Sequence, residues 1–361
     1  MFYLGCFLLA GALTAALTPL VIRLARAWGA MDMPGDPRKI HKRPTPLLGG
    51  IAVWASFCGV LFFATVFSPD FLGGTLGGKQ LFGLGFGGLL LMIGGALDDR
   101  YNLKPGWQFF FSILAAVAVI GSGIGIREIT NPFGGVFDLV WWEKTLFWYQ
   151  DVGYRLSFPA DILTFAWILG MIYATKFLDG VDGLVSGVTA IGVLVIMFLA
   201  TTTKYYQPEV GILSAIAAGA FVGFLIWNWH PAKIFLGTGG STLAGFLLGS
   251  LAIVSGGKIA TALLVMGAPL FDMVWVIFRR ALAERRWPTI GDRKHLHHRL
   301  LDAGLGQRGT ALVLYLISAV FGVTALFLQS REKLIALGIL FVFLFIVAIW
   351  ILHRKKEIRL S

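Results

Sequence analysis

Apolar runs about as long as a membrane is thick recur along this chain, and they restrict its fold more than any other feature. The hydrocarbon core of a bilayer is about 30 Å thick, which about 20 residues of helix span. The sequence contains such runs at 2–23, 47–67, 81–97, 107–126, 159–175, 183–201, 209–228, 242–254, 259–279, 310–328 and 334–352. We therefore predict an all-α polytopic membrane protein with about 11 transmembrane helices. The short, Gly-rich eighth run is the candidate for a broken, tilted or re-entrant helix.

The composition agrees with this fold class. Hydrophobic residues make up 57% of the chain and charged residues only 14%, whereas soluble domains carry about 25% charged residues. The first apolar run starts at Phe2 with no basic segment before it, so we expect no cleavable signal. Cys6 and Cys58 lie inside apolar runs and indicate neither a disulfide framework nor a zinc site. We expect one integral membrane domain over residues 1–361.

Basic residues predict the orientation, because Lys and Arg gather in cytoplasmic loops. If the N-terminus is outside, 22 of the 30 Lys and Arg residues fall at the inner ends of helices, in inner loops or in the C-terminal tail. This asymmetry predicts an N-out, C-in arrangement. The net charge of +11 then reflects membrane orientation, and we expect no nucleic-acid partner.

The outer segment 127–158 differs from the other loops. A turn signal at 131–135 precedes Trp141, Trp142 and Trp148. We expect a small extracytoplasmic hairpin with its tryptophans at the level of the lipid headgroups, where Trp is enriched.

Two pairs of aspartates mark the ends of apolar runs. Asp179 and Asp182 are each followed by glycine, which permits tight turns and close ligand approach. Such oxygen ligands suit Mg²⁺, which usually binds one or two carboxylates plus substrate phosphates; the alternative is a solvated turn with capping aspartates. Asp98 and Asp99 end a predicted helix, where the helix dipole disfavours acids. They need compensation from a cation such as Mg²⁺ or from Arg100.

Two inner loops have features of phosphate binding. In the loop 24–46, four prolines exclude a continuous helix, and Lys39 and His41 are candidates to bind a phosphate; the alternative is attachment to anionic lipid headgroups. The loop 229–241 contains Gly237 and Gly239 and leads into a helix, whose first N–H groups can bind a phosphate.

A third loop, 280–309, contains His295, His297 and His298 between Arg293 and Arg299. Structural zinc usually takes four ligands, often cysteines, and no cysteine lies on this side. Binding of phosphates and a nucleotide fits this loop better, with a solvated basic loop as the alternative.

All of these polar groups fall on one predicted face of the membrane. The loops that would form the site are 24–46, 98–106, 176–182, 229–241 and 280–309. Carboxylates, glycines and cations together on one face indicate a metal-dependent site for a phosphorylated, nucleotide-like substrate, with a second substrate arriving from the bilayer.

Five motifs in order resemble a known family. They are PRKIHKRPTP at 37–46 followed by Gly49 and Gly50, LDDRYNL at 97–103, FLDGVDG at 177–183, FLGTGGS at 235–241 and HLHHR at 295–299. This set resembles the polyprenyl-phosphate N-acetylhexosamine-1-phosphate transferases. The last motif is more similar to the undecaprenyl-phosphate GlcNAc-1-phosphate branch than to the phospho-MurNAc-pentapeptide branch.

The resemblance implies a reaction and a set of site residues. A UDP-N-acetylhexosamine and a polyprenyl phosphate would give polyprenyl-diphospho-sugar and UMP at the cytoplasmic face of a bacterial inner membrane, with Mg²⁺ or alternatively Mn²⁺; a homodimer stays open. The implied catalytic residues are Asp98, Asp99, Asp179 and Asp182. The implied metal ligands are Asp99, Asp182 and Thr238. The implied substrate-binding residues are Lys39, His41, Arg100, Lys104, Lys176, Gly237, Gly239, Arg293, His295, His297, His298 and Arg299.

Two positions depart from the family pattern. The family usually has an acidic Mg²⁺ ligand where Thr238 stands, and Asn where Lys176 stands. The alternatives are therefore a muramoyl-type substrate, or a weakly active or non-catalytic relative. A secondary transporter, suggested by the many spans and by Asp272 inside one of them, is disfavoured because the chain shows no internal repeat.

Overall fold

The computed structural model describes residues 1–35, 41, 43–67, 76–131, 134–149, 152–202, 206–256, 259–280 and 295–360. Most of these residues are helical. Eight helices are long and apolar enough to cross a membrane, or nine if one bent pair counts as a single span, within the residues described. The predicted class, a helical polytopic membrane protein, is confirmed.

The helices follow the predicted apolar runs. Their bounds are α1 Phe2–Trp28, α2 Gly49–Phe67, α3 Gly78–Tyr101, α4 Pro105–Gly121, α5 Ala160–Leu178, α6 Leu184–Thr201, α7 Pro208–Asn228, α8 Gly237–Val254, α9 Ile259–Val265, α10 Gly267–Phe278, α11 Leu296–Leu300, α12 Gly306–Phe327 and α13 Ser330–Leu360. A short π-helical segment, Leu301–Leu305, joins α11 to α12.

Three antiparallel strand pairs complete the described fold. The strands are β1 Met31–Asp32 with β2 Thr45–Pro46, β3 Glu128–Thr130 with β4 Val136–Asp138, and β5 Val140–Tyr149 with β6 Val152–Pro159. The segment predicted as one hairpin therefore forms two. Trp141, Trp142 and Trp148 of β5 are exposed, as an aromatic anchor at a membrane surface requires.

The eighth run, the candidate for a broken, tilted or re-entrant helix, is not broken. Helix α8 is continuous and begins at Gly237, five residues before the predicted start, so the glycines form its first turns instead of a loop. The bend lies in the ninth run, where α9 and α10 meet at 80°. Pro269 stands in the first turn of α10, a position where proline is tolerated because its missing N–H has no helical partner.

Glycines set the distance between α8 and its neighbours. A Cβ at Gly95 of α3 would lie 2.1 Å from the backbone nitrogen of Gly239, and one at Gly50 of α2 would lie 2.3 Å from Gly240 Cα. Small residues of this kind let membrane helices approach backbone to backbone. The N-terminus of α8 is thereby fixed against the last turns of α3 and the first turn of α2.

Alternating helix directions place the polar termini together. Helices α1, α3, α5 and α7 end where α2, α6, α8 and α12 begin, and the residues at these termini line a common cavity. Strands β3 to β6 connect the end of α4 to the start of α5, so they lie at the other end of the bundle.

The contact between α3 and α8 predicts a difference between two glycine substitutions. Gly95→Ala should lower the unfolding temperature, because overpacking of a tight contact costs about 1–3 kcal/mol. Gly170→Ala in α5 is the matched control, because a Cβ there meets nothing within 4 Å and alanine favours a helix by up to about 1 kcal/mol. Thermal unfolding in detergent, followed by Trp fluorescence, measures both. Equal unfolding temperatures would contradict the contact.

Candidate functional site

A cavity of about 850 Å³ opens among the helix termini. This volume lies within the range of small-molecule sites. Ten predicted site residues line it: His41, Asp98, Asp99, Arg100, Lys176, Asp179, Asp182, Gly237, Thr238 and His298. All five predicted loops, together with the helix ends that flank them, therefore contribute residues to one cavity.

Asp98 is held by three donors. Its Oδ1 accepts hydrogen bonds from the Leu103 backbone N–H at 2.9 Å and from Gln108 Nε2 at 2.7 Å. Its Oδ2 accepts one from the Thr238 hydroxyl at 2.6 Å. These donors supply the compensation that an acid at a helix C-terminus needs.

Asp99 faces the start of α8. Its Oδ1 accepts the backbone N–H of Thr238 at 2.9 Å, in the first turn of α8, where the helix dipole favours negative charge. Gly237 has φ +72°, and a Cβ there would lie 2.1 Å from Asp99 Oδ2. Only glycine fits that position, because both the backbone conformation and the close carboxylate exclude a side chain.

Asp179 has a raised pKa. It follows the last residue of α5 and faces the cavity. Its pKa is raised to about 7, mainly because the surrounding protein disfavours the charged form, and also because Asp182 and Asp32 add negative charge. A hydrogen bond with Ser241 acts in the opposite direction.

Asp182 is fixed by groups that the sequence did not single out. Its Oδ2 lies 2.6 Å from His230 Nδ1 and accepts the Ala232 N–H at 3.1 Å. Its own backbone N–H donates to Gln307 Oε1. The guanidinium of Arg308 donates two hydrogen bonds to the His230 carbonyl oxygen. Two segments distant in sequence, 230–232 and 307–308, therefore fix Asp182: the first binds its carboxylate, and the second binds its backbone and the His230 carbonyl.

Lys176 belongs to a hydrogen-bonded chain that reaches Asp98. Its ammonium donates to Gln108 Oε1, and the amide of Gln108 donates to Asp98. Lys176 lines the cavity and lies close enough to Asp98 and Asp99 for electrostatic interaction. A positive charge is thereby placed beside the first aspartate pair.

The three histidines occupy different positions. His295 precedes α11 and its Nδ1 lies 2.7 Å from Asp272 Oδ2, while the other oxygen of Asp272 accepts the Leu296 N–H. Asp272 is thus a buried hydrogen-bonding residue, and it fixes the start of α11. His297 is buried against Gly180, and His298 lines the cavity.

Other predicted residues lie at the edges of the site or away from it. His41 is 3.6 Å from Asp32 and packs on Phe235, and Arg100 is exposed beside Gly29. Lys104 is exposed at the start of α4, Gly239 packs against α3 rather than lining the main cavity, and Arg299 is half-buried on α11. Lys39 and Arg293 fall outside the described residues.

The carboxylates of the cavity fit a divalent cation whose coordination shell is completed by oxygens of a bound substrate. Five aspartates line the cavity, against the two permanent cations Lys176 and Arg100 among the described lining residues. Within the described chain, no group of three His, Cys, Asp or Glu side chains is arranged to hold an ion alone. Mg²⁺ commonly takes only one or two carboxylates and completes its shell with water and phosphate oxygens.

His230 and Gln108 are site residues that the sequence analysis missed. Both lie just outside the recognised motifs, in a His-Pro turn after α7 and in the first turn of α4. The one available signal was that each is polar, with His230 inside the predicted inner loop 229–241 and Gln108 two residues after the loop 98–106.

Fold and cavity define the class of protein: a polytopic membrane protein with a carboxylate-rich site at one end of its helix bundle. Residues 81–256 match the model of glycosyl transferase family 4. The chain is 30% identical, over 92% of its length and 87% of the relative, to the probable undecaprenyl-phosphate N-acetylglucosaminyl 1-phosphate transferase of Bacillus subtilis.

Two further relatives extend the comparison. The decaprenyl-phosphate N-acetylglucosaminephosphotransferase of Mycolicibacterium smegmatis is 30% identical over 96% of this chain and 88% of its own length. The undecaprenyl-phosphate alpha-N-acetylglucosaminyl 1-phosphate transferase of Escherichia coli K12 is 29% identical over 82% and 76%. The chain belongs to glycosyl transferase family 4, and it is a transferase.

The raised pKa of Asp179 predicts a proton that is lost near neutral pH. Infrared difference spectra should show a protonated carboxyl contribution from Asp179, identified as the part of the band that is lost in Asp179→Asn, and this contribution should disappear as the pH rises through about 7. Because the pKa in the folded protein exceeds the ordinary 3.8, the stability of the wild type relative to Asp179→Asn should fall as the pH rises between these values. A band that vanishes near pH 4 would contradict the assignment.

The His230 contact predicts an effect on Asp182. His230→Ala should reduce the rate of the reaction by about 10- to 100-fold, as loss of an outer hydrogen-bonding partner typically does. His230→Asn retains a polar group and should recover part of it. Steady-state kinetics on purified protein measures both. Unchanged rates in His230→Ala would show that Ala232 alone suffices to orient Asp182.

Proposed function

We propose that this protein transfers N-acetylglucosamine-1-phosphate from UDP-GlcNAc to undecaprenyl phosphate, or another polyprenyl phosphate, as the first membrane step of cell-envelope glycan synthesis. The observation that carries the proposal is the convergence of Asp98, Asp99, Asp179 and Asp182 on one cavity at the helix termini. The names of the relatives support the sugar phosphate and the lipid carrier.

The chemistry exchanges one phosphorus–oxygen bond for another. An oxygen of the lipid phosphate attacks the β-phosphorus of the UDP-sugar, and the bond from that phosphorus to the oxygen it shares with the α-phosphorus breaks. UMP leaves with the bonding electron pair, and the sugar phosphate stays on the lipid as a diphosphate. The alternative is that a carboxylate of the protein first forms a covalent intermediate with the sugar phosphate. We favour direct attack because it needs less chemistry from the protein, so that positioning and charge neutralisation dominate.

The cavity offers distinct groups for these tasks. We assign Asp99 and Asp182, with the Thr238 hydroxyl, to a Mg²⁺ ion, for which Mn²⁺ is the alternative. The ion would neutralise diphosphate charge. Asp98 would orient Thr238 and Lys176, and Asp179, with its pKa of about 7, is suited to take a proton from a lipid phosphate monoester.

Cationic and histidine groups would bind the substrates. Lys176, Arg100 and His41 line the cavity near the aspartates, and His298 reaches it from α11. His295 and His297 would hold His298 in position and contact the sugar-nucleotide. Gly237 would admit a phosphate beside Asp99. Lys39, Lys104, Gly239, Arg293 and Arg299 stay predicted substrate-binding residues.

The proposed setting is a bacterial cytoplasmic membrane, with the cavity on the cytoplasmic side. The basic residues support an N-out, C-in arrangement. Cytoplasmic exposure of the cavity would give access to a soluble sugar-nucleotide, and openings between helices would admit the lipid. A muramoyl-type substrate is disfavoured, because the compared relatives are named for N-acetylglucosamine.

A UMP-release assay tests the proposal. Purified protein with UDP-GlcNAc, undecaprenyl phosphate and Mg²⁺ should release UMP, and EDTA should stop the release. Asp99→Asn and Asp182→Asn should each lower the rate by at least about 100-fold, as loss of a group that stabilises transition-state charge does.

Glu128→Gln is the matched control, because Glu128 lies in β3 at the other end of the bundle. Its rate should equal that of the wild type. Absence of UMP release with every UDP-sugar would support the alternative of a non-catalytic relative. If so, Thr238→Asp should start turnover.

A further inference from the structure

Asp98 and Asp99, the first aspartate pair, already interact with polar and charged groups of the protein. A hydrogen-bonded chain runs from the Lys176 ammonium on α5, through the Gln108 amide on α4, to Asp98 on α3. Gln108 also donates to the Leu103 carbonyl oxygen at 3.1 Å, so its amide is fixed on both sides. Gln108 therefore holds a positive charge close to Asp98 and Asp99.

Thr238 occupies the other side of the same pair. Its hydroxyl donates to Asp98 Oδ2 at 2.6 Å, and its backbone N–H donates to Asp99 Oδ1 at 2.9 Å. Asp98 thus has donors on both oxygens. A cation that bound Asp98 Oδ1 would have to displace one of its two donors, Leu103 N–H or Gln108 Nε2, which lowers the net gain in free energy.

We propose that Lys176 is the resident counter-ion of the Asp98–Asp99 pair, with Gln108 as the positioning residue, and that a divalent cation enters only together with the nucleotide diphosphate. This inference rests on the proposed function, because it concerns the metal and the nucleotide of that reaction. It assigns to Lys176, in addition to substrate binding, a role toward the metal, and to Gln108 the positioning of Lys176.

Charge and ligand number both favour this order. Because like charges repel and opposite charges attract, Lys176 opposes an incoming cation while it stabilises the aspartates. No three acidic or histidine side chains are grouped to hold an ion among the described residues. Diphosphate oxygens would add the ligands that the protein lacks and would bring negative charge that offsets Lys176.

Equilibrium dialysis of the full-length protein in lipid nanodiscs tests the inference. Mn²⁺ serves as the probe, and UDP as the nucleotide diphosphate; UDP that binds Mn²⁺ in solution distributes equally across the dialysis membrane. UDP should strengthen Mn²⁺ binding to the wild type by at least about tenfold, the scale on which neighbouring groups alter metal affinity. Equal binding with and without UDP, or no binding in either case, would overturn the proposal.

Substitutions separate the roles of the charge and of its position. Lys176→Asn and Gln108→Leu should both strengthen binding of Mn²⁺ without UDP by about tenfold or more, because each removes the ammonium from the aspartate pair. A purely structural role would weaken binding instead. Lys176→Arg keeps the charge and should behave like the wild type. Unchanged Mn²⁺ binding in Lys176→Asn, with a normal size-exclusion profile, would refute the counter-ion role.

Lys144→Asn is the matched control. Lys144 belongs to β5, at the end of the bundle opposite the cavity, so Mn²⁺ binding should not change. UMP release by the same wild-type preparation reports the proposed function independently. Release of UMP together with UDP-independent Mn²⁺ binding would remove the counter-ion inference alone, whereas failure to release UMP would count against the proposed function.

Discussion

The close approach of α3 and α8 is the contact on which the site depends. Gly95 and Gly239 leave no room for a Cβ between the two backbones. In a bilayer, where apolar burial drives helix association only weakly, such van der Waals contacts set helix positions. The approach places the Thr238 N–H, in the first turn of α8, against the Asp99 carboxylate at the end of α3. The positive end of one helix dipole thus meets an acid that the negative end of the other disfavours. The same pair of glycines therefore permits both the close helix packing and the favourable electrostatic contact.

Side chains outside the motifs then fix the remaining segments around this contact. His230 and Arg308 connect the turn after α7 to the start of α12, and both act on Asp182. Asp272 connects α10 to the histidine segment through His295. Buried polar networks whose members are paired favour a single arrangement over alternatives. The cavity is therefore open for substrates while its walls are tied to each other.

The sequence could predict which segments meet, and it could not predict the partners within them. The lengths of the apolar runs and the alternation of helix directions suffice to put Asp98, Asp99, Asp179 and Asp182 at one end of a bundle. Hydrogen bonds such as Gln108 to Asp98 depend on helix rotation and on distances of a few ångströms, which hydropathy does not encode. The same limit explains the eighth run: glycines permit both a broken helix and a tightly packed one, and only neighbours such as Gly95 decide between them.

Four aspartates of identical chemistry acquire different properties from their surroundings. Asp98 accepts hydrogen bonds on both oxygens, so its charge is committed to structure. Asp99 and Asp182 each have one carboxylate oxygen hydrogen-bonded to the protein. This arrangement orients the carboxylate and leaves its other oxygen for a metal ion that also binds a substrate. Asp179 lies where neighbouring negative charge and the surrounding protein oppose its ionisation, so it suits proton transfer near neutral pH. Surroundings that give like residues different hydrogen-bond partners are how one cavity divides structural, proton-transfer and ligand roles among them. Because the motifs show only that aspartates are present, this division is information that belongs to the fold.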